Sequence, residues 1–265
     1  PLGPMGPDDP PEAIAAQFPL NDFGNGQRLV TYFGDDFLFV PRLGWYRWDG
    51  RRWASDEDEI RVRRDAQAIA TRILHEIPHI ALQDWQMEAL TAWREVEAEF
   101  ATLEEVPARD RSAEQRARLK ALIGIKSAGE GILGYLSSAR QAHRAHAKAS
   151  GNTSKISNML AEAKTAVATD VEGLNADPWM LNCENGVLHF TMVRDDHAAA
   201  WGGAPMVPRV NLLPHDRRQL ITKMAAASYA PDAPCPNWLA FLERVQPDPE
   251  VRAFLQRWFG YSLTG

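Results

Sequence analysis

Residues 175–188, NADPWMLNCENGVL, carry a well-marked signal for a β-hairpin. Asn185-Gly186 lies between two runs in which apolar and polar residues alternate, and this dipeptide favours the two-residue turn of a β-hairpin. With the turn at that pair, one face of the hairpin is apolar. The pairs expected across this face are Leu181 with Phe190 and Cys183 with Leu188. The opposite face is expected to carry Asn182, Glu184, Val187 and His189.

A second hairpin is predicted at residues 45–53, WYRWDGRRW, because Asp49-Gly50 favours a type I′ turn. Alternate residues of a strand point to opposite faces of the sheet. One face is therefore expected to carry Tyr46, Trp48, Arg51 and Trp53. The other is expected to carry Trp45, Arg47 and Arg52.

Helical periodicity accounts for much of the remaining chain. An Asx cap at Asn21 or Asp22 predicts a short helix toward Tyr32, and Asp56 is expected to cap a second helix. Residues 84–105 have the amphipathic pattern of a third helix. The apolar residues expected to be buried on the second and third helices are Val62, Ala66, Ile69, Ile73, Ile77, Trp85, Leu90, Trp93, Val96 and Phe100.

The second half of the chain combines helices with irregular segments. Residues 112–148 are helical in pattern, and their four glycines favour two helices over one. Residues 195–215 carry Gly, Pro and Ala clusters and predict an irregular insertion. Pro236 and Pro249 each fit the first turn of a closing helix, with Gly260 as terminator. The residues expected to point inward from these two helices are Trp238, Phe241, Leu242, Val245, Val251, Phe254, Leu255 and Trp258.

These elements predict a mixed α/β (α+β) fold that is predominantly helical, with two or more small antiparallel hairpins. Residues 1–20 are expected to be a flexible tail, whose opening Pro-Leu-Gly resembles the remnant of a cleaved fusion tag. Residues 21–80 form a hairpin-plus-helix subdomain and 81–150 a helical segment with a basic end. Residues 151–265 contain a helix, a hairpin and the closing helices.

Charge is distributed unevenly along the chain. The net charge is -6, but residues 109–155 carry ten Lys or Arg and three acids, so this segment is +7 and the rest -13. Because nucleic acids bind through Lys and Arg, any DNA contact is expected to be local. The candidate DNA-binding residues are Arg140, Arg144, Lys148 and Lys155, and Arg47, Arg51 and Arg52 of the first hairpin. The alternative for the first set is a solvated helix face. The alternative for the hairpin is that its aromatic residues belong to the packed core.

The sequence predicts no catalytic, cofactor or metal site. Cys183 and Cys235 stand far apart, so both are expected to be small buried residues rather than ligands or a disulfide. His143 and His146 lack ligands at metal-binding spacing and are expected on an exposed helix surface. The acid pairs at 35–36 and 195–196 could suggest a metal-dependent nuclease, but Asp is common in turns. No G-x-x-x-x-G-K-[ST] loop and no apolar run long enough for a membrane span occurs.

Residues 175–188 also resemble a signature of the poxvirus, phage and plasmid primase-helicase family, Asp-x-Asp-Pro-x-x-Leu-Asn-x-x-Asn-Gly-Val-hydrophobic-Asp-Leu. Three further blocks are similar to that family in the same order, at 45–56, 221–238 and 254–265. The chain departs from the family at Asn175 and His189, which stand where Asp is usual, and at residues 195–214, which form a longer connection than is typical.

The resemblance implies the collar region between an N-terminal primase and a superfamily 3 helicase, an AAA+-like ATPase. In relatives the phrase GYSLTG precedes the phosphate-binding loop, so ATP and Mg²⁺ are expected only in an ATPase domain beyond these residues. The implied function is hexamer assembly and guidance of single-stranded or forked DNA, in the cytoplasm of a bacterial host and without a membrane partner. The alternative is an adaptor that recruits a primase domain or replication proteins without touching DNA.

Overall fold

The computed structural model describes residues 9–195 and 205–263. The described chain is predominantly helical with two three-stranded antiparallel sheets, which confirms the predicted fold class. Its helices are α1 Pro11–Ala15, α2 Asp22–Phe33, α3 Ile60–Glu76, α4 Asp84–Glu105, α5 Ala113–Ser150, α6 Thr153–Lys164, α7 Pro236–Val245 and α8 Pro249–Ser262. Its strands are β1 Phe37–Val40, β2 Gly44–Trp48, β3 Trp53–Ser55, β4 Met180–Cys183, β5 Gly186–Arg194 and β6 Met206–Leu213. The tag-like first residues, part of the expected insertion and the end of GYSLTG lie outside the described residues.

The chain divides into two compact units, each built from two separate stretches of sequence. Unit 1 contains the residues up to Asp35 together with Ile60–Val167. Unit 2 contains Asp36–Glu59 and the residues from Ala168 onward. Each sheet lies in unit 2, and the long helices α3, α4 and α5 lie in unit 1.

Helices α2, α3, α5 and α6 pack together as the core of unit 1. The Asn21 side chain accepts a hydrogen bond from the Gly24 N–H at 2.8 Å, which confirms the predicted cap of α2. Helix α3 buries Val62, Ala66, Ile69 and Ile73 as predicted. It begins at Ile60 rather than at an Asp56 cap, because Glu59 adopts a left-handed φ of 56° that ends the preceding turn.

Part of the segment expected as a flexible tail is ordered. Residues 11–15 form α1, and Ala15 is fully buried.

Helices α4 and α5 form an antiparallel hairpin, and α5 is a single helix of 38 residues. The prediction of two helices at 112–148 is therefore wrong. One of the glycines that suggested a break, Gly129, allows close packing, because a Cβ there would lie 2.4 Å from the Cβ of Trp93. Trp85 was expected to be buried on α4, but it lies beyond this contact and is 60% exposed.

The first sheet has the order β1-β2-β3, and Trp48 pairs with Trp53. The loop between them thus has four residues rather than the predicted two. The Asp49 carboxylate accepts the N–H groups of Arg51 and Arg52, both at 2.8 Å, and this wider turn replaces the expected type I′ geometry. Arg51 and Arg52 consequently lie in the loop and not on the faces of a strand.

The second sheet has the order β4-β5-β6. Its faces are as predicted, but Leu181 pairs with Leu188 because the turn lies at 184–185, one residue earlier than expected. The Asn185 side chain fixes this turn by bonding both the N–H and the carbonyl of Tyr229, each at 2.8 Å. Strand β6 occupies much of the predicted irregular insertion and pairs with β5 over eight positions.

Helices α7 and α8 begin with Pro236 and Pro249 as predicted, but their apolar residues are not inward. Neither helix contains a buried residue, and Cys235 at the start of α7 is exposed. Helix α8 also continues past the expected terminator Gly260 to Ser262.

Candidate nucleic-acid interface

The first candidate surface is a basic stripe on α5, formed by Arg140, Arg144 and Lys148. The three side chains are exposed and one turn apart, so they extend over about 12 Å of the helix. The neighbouring face of the same helix, which includes His143 and Ala147, is buried in unit 1. The stripe therefore presents its cations from a fixed backbone.

The three cations of the basic stripe are available for an external anion. In 9–195 and 205–263, none of their side chains makes a hydrogen bond or an ion pair. Lys155, the fourth residue of the predicted cluster, differs because its ammonium lies 3.1 Å from the Asp22 carboxylate. Hydrogen bonds from Asn158 and from Lys155 lower the pKa of Asp22 below its ordinary value. A phosphate would have to compete with that carboxylate for Lys155, but not for the stripe.

A buried polar network that the sequence did not reveal holds α5 against α2 and α3. Arg28 and Glu76 are both fully buried, and the Arg28 Nε donates to the two Glu76 oxygens at 3.0 and 3.1 Å. The remaining donors of Arg28 reach Glu76 again and the carbonyl oxygens of Ala15, Phe18 and Pro19. The guanidinium thus joins α3 to the segment that precedes α2.

His143 and His146 belong to this network, so the prediction that they lie on an exposed surface is wrong. The His143 Nδ1 donates to the Ala139 carbonyl at 3.0 Å, and its Nε2 faces Glu76 at 4.0 Å. The His146 Nε2 donates to the Asn25 Oδ1 at 2.8 Å. Burial, followed by the nearby guanidinium of Arg28, lowers the pKa of His146 to about 4. His146 is therefore neutral at pH 7.

A second candidate surface lies in unit 2 around the four-residue loop between β2 and β3. Main-chain and side-chain bonds join this loop to residues 217–223. The Trp53 N–H donates to the Ile221 carbonyl at 2.8 Å, and its indole N–H donates to the Arg217 carbonyl at 2.8 Å. The Asn182 amide also bonds the carbonyl oxygens of Arg51 and Lys223.

These contacts bring six cations together, which we call the basic loop cluster: Arg47, Arg51, Arg52, Arg217, Arg218 and Lys223. Three of them were not predicted, although the Arg217-Arg218 pair and the Ile221-Thr222-Lys223 block are visible in the sequence. Carboxylates pair with four members: Asp36 with Arg47 and Arg217, Asp49 with Arg52, and Asp216 with Arg218. In the described chain the side chains of Arg51 and Lys223 have no such partner.

The aromatic residues beside this cluster belong to the core of unit 2. Trp53 is 5% exposed, packs with Leu38 and Val40, and meets Trp48 edge-to-face at 5.7 Å. These rings are therefore not open platforms for base stacking, and the cations carry the candidate interface.

Of the two acidic pairs, the structure describes in full the one at 35–36, and its Asp36 forms ion pairs with two arginines. The Asp36 carboxylate lies 3.1 Å from Arg217 and 3.6 Å from Arg47, so two arginines balance its negative charge. In the part of the chain that the structure describes, no three His, Cys, Asp or Glu residues are grouped as metal ligands. Asp196 lies outside the described residues.

A comparison with protein-family models assigns this chain to a family. A family model described as D5 N terminal like matches residues 26–247, more than four fifths of the chain. The chain belongs to the D5 N-terminal-like family. This family is the N-terminal region of primase-helicase proteins, which confirms the resemblance and connects the chain with DNA replication. The D5 N-terminal-like match contains both the basic stripe and the basic loop cluster.

A search of curated proteins found no match to this D5 N-terminal-like chain. Among its described helices, none has the length and apolar character needed to span a bilayer.

Proposed function

We propose that this chain is the collar of a DNA primase-helicase, which braces a hexameric helicase ring and guides single-stranded or forked DNA toward it. The chemistry of unwinding, with ATP and Mg²⁺, belongs to a superfamily 3 ATPase domain and not to these residues. The single observation that supports DNA guidance is the basic stripe, three exposed cations without a competing carboxylate on a firmly packed helix of a replication-family domain.

The proposal predicts how the affinity for DNA depends on salt concentration. A protein that neutralises phosphates of a single strand releases counterions, so log K falls with log salt by about 0.7 per phosphate contact. If the basic stripe contacts three phosphates, its removal lowers the slope by about 2. This contribution corresponds to roughly 20-fold weaker binding when salt rises from 50 to 200 mM.

The experiment is fluorescence anisotropy of labelled single-stranded and forked DNA, titrated at two or more salt concentrations. The test variant is Arg140→Ala/Arg144→Ala/Lys148→Ala. The matched control removes three cations from another part of α5, as Arg116→Ala/Arg118→Ala/Lys120→Ala. We expect the test variant to lose most of the salt-sensitive affinity and the control to lose little. Equal losses in both variants would show that only the net charge of α5 matters, and the guidance proposal would fail.

The adaptor function is the second candidate, and one observation favours it. The exposed apolar surface of α7 and α8, described below, is suited to a protein partner rather than to phosphates. Absence of salt-sensitive DNA binding by the unmodified chain would favour this alternative. Titration of the chain with the purified primase domain of the same protein, monitored by calorimetry, would then test it directly.

A further inference from the structure

Two apolar surfaces of unit 2 lack a partner among the described residues. The first is the surface of α7 and α8, which we call the helix-pair face. Nine of its large apolar residues are more than half exposed, and they are Trp238, Leu239, Phe241, Val245, Phe254, Trp258, Phe259, Tyr261 and Leu263. Side chains of this size leave on the order of 100 Å² each in solvent at half exposure, so the nine together expose roughly 900 Å².

That area exceeds what a folded monomer commonly exposes in one patch, about 300–600 Å². It is comparable to the roughly 800 Å² that each partner contributes to an interface of standard size. The groove between α7 and α8 has a volume of about 810 Å³ and is lined by Trp238, Leu242 and Phe259 among others. The helix-pair face is thus large enough to support a stable protein contact.

The second surface is one face of the sheet β4-β5-β6, which we call the apolar sheet face. The register places Met192 opposite Pro208 and Phe190 opposite Val210, and the Phe190 N–H bonds the carbonyl of Trp179. Five residues on this face are 43–57% exposed, namely Trp179, Met192, Met206, Val210 and Leu212. Residues that alternate along paired strands share one side, so these side chains form an apolar layer, and the exposed Arg194 lies opposite Met206 at its end.

The edge of this sheet is less suited to association than its face. Strand β6 is an edge strand of the sheet and contains Pro208, which has no N–H to donate to an added strand. An incoming partner would therefore cover the apolar sheet face. A pair of helices is a usual layer on such a face, because a sheet with one apolar side is stabilised by an apolar helix surface.

We infer that the helix-pair face of one copy packs on the apolar sheet face of a second copy. This arrangement covers both surfaces of every copy in a closed ring, whereas a symmetric contact between two helix pairs leaves the sheet faces in water. A contact between two different surfaces is heterologous, and heterologous contacts generate rings when the rotation closes. The inference rests on the ring-assembly part of the proposed function and is independent of DNA guidance.

The test uses the full chain and two variants, each altered on one surface. Trp238→Glu/Trp258→Glu changes the helix-pair face, and Met192→Glu/Val210→Glu changes the apolar sheet face. All four residues are exposed, so circular dichroism is expected to show an unchanged fold. Sedimentation velocity would measure association of the unmodified chain, of each variant, and of an equal mixture of the two variants.

We expect the unmodified chain to associate at micromolar concentration and each variant to do so at least ~100-fold more weakly. The mixture is expected to form dimers and nothing larger, because each such dimer contains one intact helix-pair face and one intact apolar sheet face. A monomeric unmodified chain at about 100 µM would overturn the inference. Normal association of the sheet variant would also overturn it and would indicate that helix pairs pack on each other. Because the basic stripe is intact in all these proteins, the DNA titrations separate failure of guidance from failure of this interface.

Discussion

The buried ion pair of unit 1 makes a quantitative prediction about stability. Arg28→Met keeps an apolar stem of similar length. It removes the positive charge of the guanidinium group and all of its hydrogen-bond donors. The Glu76 carboxylate then stays fully buried without its cation. The carbonyl oxygens that Arg28 bonds, those of Ala15, Phe18 and Pro19, lose the same donor.

Removing one partner of a buried ion pair costs about 3–5 kcal/mol, because the remaining charge is uncompensated in a low-dielectric interior. We expect Arg28→Met to lower the free energy of unfolding of unit 1 by that amount, a roughly 100- to 5,000-fold change in the equilibrium constant. The double variant Arg28→Met/Glu76→Leu is expected to recover part of the loss, since no charge stays buried.

The assay is urea denaturation followed by circular dichroism, with Arg118→Met as the matched control. Arg118 also forms a two-bond pair with a glutamate, Glu99, and its 2.7 Å distances are shorter than those of the buried pair. Both residues of this control pair are exposed, so solvent screens it and the loss should be much smaller. If Arg28→Met and Arg118→Met shift the denaturation midpoint equally, burial does not determine the strength of the Arg28 pair and the reasoning is refuted.

Further predictions concern the α4–α5 hairpin and the pH dependence of stability. Gly129→Ala places a Cβ 2.4 Å from Trp93 and should lower the free energy of unfolding by about 1–3 kcal/mol. Gly131→Ala faces open space on the same helix and should raise it by about 0.5–1 kcal/mol. Thermal denaturation that ranks the two variants in the opposite order would contradict the packing. The pKa of His146 is about 4 in the folded chain and about 6.5 unfolded, so its contribution is complete above pH 6.5 and is lost as the pH falls toward 4. After allowance for solvent screening at this half-buried site, the loss of stability should be about 1–2 kcal/mol. The melting temperature of His146→Gln should therefore depend less on pH between pH 7 and pH 4.5 than that of the unmodified chain. An unchanged slope would contradict this prediction.

Local patterns predicted most elements of the fold because these elements depend on neighbours in sequence. The cap at Asn21, the buried stripe of α3 and the bounds of α4 follow from spacing alone. The predicted break in α5 failed because glycine lowers helix propensity by about 1 kcal/mol, while packing against Trp93 requires a small residue at position 129. A tertiary contact of this kind leaves no periodic signal.

In the candidate site, too, local sequence patterns predict some features, and contacts between distant residues determine the others. The basic stripe was visible because its cations recur at one-turn spacing, and the basic loop cluster was only half visible. The Trp53 indole reaches the Arg217 carbonyl across 164 residues, and the Asn182 amide joins Lys223 to Arg51 across 131 residues, so no local pattern encodes this cluster. The Arg28–Glu76 pair was missed because a single charged residue in a helix pattern is usually exposed.

The distance in sequence between the two parts of unit 2 affects how the protein is made. Strands β1 to β3 leave the ribosome before residues 217–223, because the Trp53 indole bonds a carbonyl that lies 164 residues later in the chain. At about 5–20 residues per second, the first sheet waits roughly 8–30 seconds for the segment that completes its core. During that interval Leu38, Val40 and Trp53 lack part of their covering, so the nascent chain is most vulnerable to aggregation before residues 217–223 have been synthesised.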